Sequence, residues 1–188
     1  GKILPYTILD VNGEQVGVIG LTTKEAQINS SPGPDITFAD YVPTVQPIVE
    51  ELTSQGVNKI VVLSHIGYVD DQALAAAVDG IDIIVGGHSH TLLSNTDEAA
   101  SGPYPTVVNS PDGSPVLIVT AEAYGKYLGE LSVTFDDAGV PQSWEGQPLL
   151  LDQSIEQDPN ILAQVAELAV PVQALREQVV GSTTTPLD

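Results

Sequence analysis

Apolar residues along this chain recur in two rhythms, period two and period near 3.6, and the alternation between them outlines the fold. Tyr6, Ile8 and Leu9 lead into Asn12-Gly13, and Val16, Val18 and Ile19 return from it. Asn-Gly between two apolar runs is the preferred type I′ turn, so the opening reads as a β-hairpin. After a polar loop with Ser30-Ser31-Pro32-Gly33-Pro34, Ile48, Val49 and Leu52 fall on one face of a helix. That helix is expected from near Pro43 to Gln55, with Gly56 as its stop and Pro47 blurring its start. Lys59 to Leu63 is a continuous β-branched run, as expected of a strand buried on both faces. Leu74, Ala75 and Val78 give a helix over Asp70 to Val78, ended at Gly80, and Ile81 to Val85 is a second buried strand. Strand, short helix and strand in so short a span predict a βαβ unit with parallel strands.

Beyond a Gly/Pro/Ser-rich loop, Ser94 to Pro105, come strand-like runs at Thr106 to Val108, Pro115 to Thr120 and Leu128 to Phe135. Asp136-Asp137-Ala138-Gly139 is a turn leading to a last strand near Leu149 to Leu151, and these runs are expected to pair antiparallel. Asp158-Pro159 is an N-cap with proline at the first helical position. It opens a helix to about Val180, which Pro171 should kink. The tail Gly181 to Asp188 reads as the beginning of a further segment. There is no internal repeat and no low-complexity tract. The fold class is α/β.

Composition narrows the picture. The chain has 188 residues, 42% hydrophobic and 16% charged, which places it among globular proteins with a real core. No apolar run approaches the ~20 residues of a membrane span. Methionine is absent and the first residue is Gly1. The true start is therefore expected to have been lost by processing, proteolysis or the manner of production, and a signal peptide would have gone with it. Five Lys+Arg against 25 Asp+Glu give a formal charge of −20. Such a surface disfavours nucleic acid and anionic lipid, which bind through Lys/Arg neutralisation of phosphate. A small phosphorylated ligand would need its charge met locally, by metal ions; plain solubility, or life in a salty medium, also explains the acidity. The absence of cysteine excludes disulfides, thiolate metal sites and a Cys nucleophile.

All three histidines lie in the βαβ unit. His65 follows the first strand in Leu63-Ser64-His65-Ile66-Gly67, and His88 and His90 follow the second in Gly86-Gly87-His88-Ser89-His90-Thr91. In open α/β sheets ligands bind at the carboxyl ends of the strands. Neighbouring strands ~5 Å apart bring such loops to one point, and imidazole is a common ligand for Zn and other divalent metals. Gly86 and Gly87 are expected to let the backbone turn sharply and expose His88. The plainer alternative is that all three are loop residues bonded to backbone. Neither G-x-G-x-x-G nor G-x-x-x-x-G-K-[ST] occurs, so a nucleotide cradle of those kinds is disfavoured. No G-x-S-x-G nucleophile elbow occurs either, and Ser64 reads as packing or loop bonding. Tyr124, Tyr127 and Trp144 read as core or sheet-face residues rather than a base-stacking platform. Asp70 and Asp71 read as helix-start acids, and Lys126 as a surface charge.

Four segments in order, Gly17-Val18-Ile19-Gly20-Leu21-Thr22-Thr23, Val62 to Gly67, Asp82 to Thr91 and Ala123-Tyr124-Gly125-Lys126-Tyr127-Leu128-Gly129-Glu130-Leu131, resemble the 5′-nucleotidase family of calcineurin-like metallophosphoesterases. The resemblance spans nearly the whole chain, including Pro148 to Pro159 and the helix after it. It implies part of a four-layer α/β/β/α sandwich with mixed sheets. Residues 1–157 would be the C-terminal half of the metallophosphoesterase domain, and 158–188 a linker helix and the start of a C-terminal substrate domain. It implies a site for two divalent metal ions, Zn, Mn or similar. In it the His65 and His88 positions look like ligands of one ion, and the His90 position resembles the ligand of the other.

The activity implied is hydrolysis of nucleotide phosphoesters by a metal-activated hydroxide, most simply nucleoside 5′-monophosphate to nucleoside and phosphate. Hydrolysis of 2′,3′-cyclic nucleotides or of UDP-sugars is the alternative within the group, and a non-catalytic α/β binding module is the alternative outside it. The family's Asp-x-His pair, bridging Asp and Gly-Asn-His-Glu segment have no counterpart here, and no histidine precedes His65. No catalytic residue is therefore expected within this stretch, which alone should not turn over substrate and would need the rest of the same polypeptide as its partner. The family's habit implies a periplasmic or extracellular place.

Overall fold

In the computed structural model residues 3–182 and 184 are described; the expectations for Gly1 and for most of the 181–188 tail fall outside them. The chain divides into two compact units, Gly1–Leu151 and Asp152–Asp188.

Within the first unit, β1 (Tyr6–Val11) and β2 (Glu14–Thr22) form the expected antiparallel hairpin. Asn12 and Gly13 both take positive φ, 56° and 91°, as a type I′ turn requires. A short α1 (Ala26–Asn29), which the polar sequence did not announce, follows β2. Helix α2 (Tyr41–Ser54) contains Pro47 and turns Val45, Val49 and Leu52 inward. Then come β3 (Ile60–His65), α3 (Tyr68–Ala75) and β4 (Ile83–Val85). Strands β5 (Thr106–Asn109) and β6 (Pro115–Val119) complete a six-stranded sheet in the order β1-β2-β3-β4-β6-β5. Strands β2, β3, β4 and β6 run parallel, while β1 and β5 run antiparallel at the edges. The sheet is thus mixed, and the parallel pairing of β3 with β4 is the βαβ unit read from the sequence.

One face of this sheet carries the core. Ile19, Ile60, Val62, Ile84, Val116 and Ile118 pack against Val45, Val49 and Leu52 of α2 and Leu74 and Ala75 of α3. The opposite face departs from expectation. Strand β3 alternates instead of being buried on both sides: Ile60, Val62 and Ser64 are buried, but Leu63 is 50% exposed, and in β4 Val85 is 41% exposed. Helices cover only one side, so the side chains of the other parity meet solvent. Strands β7 (Tyr127–Phe135) and β8 (Pro141–Leu150), an antiparallel ribbon, cover part of that face. Leu131 packs on a cluster of Leu93, Tyr104 and Val119. A groove of about 440 Å³ is lined by Val61, Ile83 and Val85 on one side and Gly129 and Leu131 on the other.

In the second unit α4 (Pro159–Arg176) begins as the sequence dictates: the Asp158 carboxylate accepts the N–H groups of Asn160 and Ile161, with proline in the first turn. Pro171 lies inside it, and none of its residues is buried. Among the described residues no helix is long and apolar enough to cross a membrane.

Candidate metal centre

Three adjacent parallel strands, β2, β3 and β4, end at the same edge of the sheet. Thr22 stands opposite His65 in the β2–β3 register, and Leu63 opposite Val85 in the β3–β4 register. His65 closes β3 on its less covered side, because Ser64 before it points to the helices and the side-chain period is two. His88 follows β4 by three residues. The two imidazole centres lie 5.1 Å apart with their planes 63° to one another. Two imidazoles sharing a tetrahedral ion at N–metal distances of about 2.0–2.1 Å have ring centres about 5 Å apart, the same separation as this pair.

His90 is placed differently. Its ring meets Tyr124 edge-on, centroids 5.2 Å apart. Among the described residues no group of three or more His, Asp or Glu side chains is arranged to hold an ion. His65 and His88 thus stand as a pair, with His90 set apart against its tyrosine.

The glycine pair works by proximity rather than by torsion. Neither Gly86 nor Gly87 has positive φ; the left-handed residues are His88 (φ 73°) and His90 (φ 51°). A Cβ on Gly86 would lie 2.5 Å from Asp71 Oδ2, and one on Gly87 would lie 3.1 Å from His65 Nδ1. The β4 loop therefore lies close against Asp71 of α3 and against His65 at the end of β3, and the absence of side chains at Gly86 and Gly87 leaves room for it. The loop is tied further by Gly86 N–H donating to Val119 O and by the Ser89 hydroxyl accepting from Tyr68 N–H.

Asp71 stands in the first turn of α3, as the sequence suggested, but not as a solvent-facing acid. It is fully buried, accepts the Ser64 hydroxyl on Oδ1, and leaves Oδ2 without a partner against Gly86. Burial raises its pKa to about 6, partly offset by the Ser64 hydrogen bond, with the neighbouring Asp70 charge adding to the rise. Tyr124 is a correction: instead of lying in the core it is 96% exposed, at φ 60°. Tyr127 and Trp144 sit half-buried in the β7–β8 ribbon, and Lys126 pairs with Glu122 at 3.0 Å on the surface. The residue that sequence reasoning missed is Glu25, whose Oε2 lies 3.1 Å from His88 Nε2. Its only signal was position, in the loop after a strand parallel to β3.

Known proteins resemble this chain in sequence and fold. No family model matches the chain. The snake venom 5′-nucleotidase of Naja atra is 44% identical over the whole of this chain, which corresponds to 36% of that protein. The crystal structure of the 5′-nucleotidase precursor of Thermus thermophilus superposes with a TM-score of 0.87 at 44% identity, over 94% of this chain and 36% of that one. A calcineurin-like phosphoesterase of Bacillus subtilis shares the fold, with a TM-score of 0.72 at 18% identity over 94% of this chain and 60% of that one. The chain thus spans about a third of the length of the curated relatives it matches.

Proposed function

From the premise that this chain belongs to the 5′-nucleotidase family over its whole length, we propose that the protein it builds hydrolyses phosphate esters of nucleotides, with nucleoside 5′-monophosphates as the substrate class. The observation that carries this reading is the pair His65 and His88, ring centres 5.1 Å apart at the carboxyl ends of adjacent parallel strands. His65 and His88 would hold one divalent ion, and His90, from the same loop as His88, would serve a second. Bound divalent ions supply charge neutralisation at the phosphoryl oxygens and acidify bound water. With five Lys+Arg in the whole chain, few cationic side chains are available to meet that phosphate charge instead.

The chain's own residues do the positioning. Gly86 and Gly87 let the two loops close on each other, Ser64 and Asp71 lie buried beneath them, and the strands fix the spacing of the rings. The general acid and the remaining ligands belong, in this proposal, to other parts of the polypeptide. Residues 1–157 would form the second half of the phosphoesterase domain, and 158–188 a linker helix leading to a substrate domain. The venom origin of several relatives supports a place outside the cytoplasm, periplasmic or extracellular.

The test is phosphate release from AMP by the intact protein with added Zn²⁺ or Mn²⁺, beside 2′,3′-cyclic AMP and a UDP-sugar. Hydrolysis of AMP that chelation abolishes is expected, and His88→Ala should lower it by more than ~10-fold, since even supporting residues of metal sites cost about 10–100-fold. Undiminished turnover in that variant removes the ligand assignment. Nucleotide binding without any hydrolysis would point to a non-catalytic module.

A further inference from the structure

Glu25 stands outside every assignment made so far. It lies just past the carboxyl end of β2, the third of the adjacent parallel strands, and its Oε2 meets His88 Nε2 at 3.1 Å. The same oxygen accepts from Asn29 Nδ2 at 3.3 Å, one turn further along α1, and the Glu25 N–H donates to Thr23 Oγ1. The carboxylate is therefore held from its own side of the site before it touches the imidazole.

A carboxylate can only accept. A neutral His88 ring facing it must carry its proton on Nε2, which leaves Nδ1 as the bare lone pair. Metal-bound histidines characteristically donate their second ring N–H to a carboxylate or carbonyl, which fixes the tautomer and the ring plane. Glu25, His65 and His88 do not form a three-donor cage, so Glu25 is disfavoured as a ligand of the ion that the two imidazoles would share. Stability is a weak explanation for the contact: the Glu25 side chain is 62% exposed, and exposed ion pairs add little to folding.

We infer that Glu25 is a positioning residue that commits His88 to the Nε2–H tautomer and so makes Nδ1 its cation-binding atom. This rests on the proposal that His65 and His88 hold a divalent ion, but the tautomer is measurable without one. In the intact protein labelled with ¹⁵N-histidine and free of metal at about pH 8, long-range ¹H–¹⁵N spectra should show His88 protonated at Nε2. Glu25→Ala should redistribute the proton between the two nitrogens, while Glu25→Gln, whose side-chain carbonyl still accepts, should keep it on Nε2. Zinc affinity, read by competition with a chromophoric chelator, should fall about 10–100-fold in Glu25→Ala and recover in large part in Glu25→Gln. Thermal midpoints of both variants should match the parent, which excludes a folding defect.

A wild-type His88 protonated at Nδ1, or a tautomer unmoved by Glu25→Ala, overturns the inference. So does a tautomer shift that leaves zinc affinity unchanged, because the link to the cation is then broken. If His88→Ala also leaves zinc affinity unchanged, it is the ligand assignment that falls, and the metal-free spectra still decide the pairing itself.

Discussion

The two ends of the β3–β4 pair are built from similar residues to opposite purposes. At the amino end, Asp82 is buried and its Oδ2 accepts the Ile60 N–H at 2.7 Å, while Asp82 N–H donates to Ile60 O and Asp82 O accepts from Leu117. That end is closed by hydrogen bonds, and its left-handed residues are glycines, Gly56 and Gly80. At the carboxyl end, Asp71 is equally buried but has an oxygen with no partner. Among the described residues, four of the five non-glycine residues with positive φ, His88, His90, Glu122 and Tyr124, stand in the loops after β4 and β6 at that same edge. Each costs roughly 1 kcal/mol or more, a cost that proteins tend to retain where geometry matters for function. One end holds the strands together; the other holds side chains in arrangements the backbone would not choose.

The strongest way to break this contrast is Gly86→Ala. The new methyl group would sit 2.5 Å from Asp71 Oδ2, and that carboxylate cannot withdraw without giving up Ser64. A loss of about 2–3 kcal/mol in urea-unfolding free energy is expected, together with loss of zinc binding. If stability and binding both survive, the close packing of the two loops is not what sets the site.

A smaller effect separates the two aspartates by pH. Desolvation is the main cause that raises Asp82, to about 7, opposed by the Ile60 N–H and by Lys59, while the Asp112 charge adds to the rise. Its folded-state value lies above the unfolded one, so between about pH 4 and 7 the folded chain binds more protons, and stability falls as pH rises through that window. Asp82→Asn should therefore flatten the decline in urea-unfolding free energy between pH 4.5 and 7.5, by roughly 1–2 kcal/mol. It should leave zinc affinity at neutral pH untouched, since it acts at the far end. An unchanged pH slope would mean that Asp82 is better solvated than its burial implies.

The smallest effect tests the strain itself. His90→Asn puts a residue that tolerates the left-handed region at φ 51°. Its unfolding free energy should match or slightly exceed that of the parent, by less than about 0.5 kcal/mol. Clear destabilisation would mean that the edge-on contact with Tyr124 outweighs the backbone cost.

Much of this was written locally. Asn12-Gly13 determined a hairpin because few other pairs take two positive φ values, and Asp158-Pro159 determined a helix start because cap and proline act within one turn. The period-two and 3.6 patterns determined the βαβ unit, and with it the edge at which all three histidines gather. Tertiary structure alone decided the rest. Burial of β3 on one face only depends on which layers cover the sheet, and a β-branched run reads the same either way. The use of Gly86 and Gly87 for close approach depends on Asp71 and His65 arriving from elsewhere in the chain. Asp71 could not be told from a solvated helix acid until α3 was laid on the sheet. Glu25 meets His88 across 63 positions of sequence: local patterns fix torsions and faces, whereas a contact of that range exists only once the strand order has put three strand ends side by side.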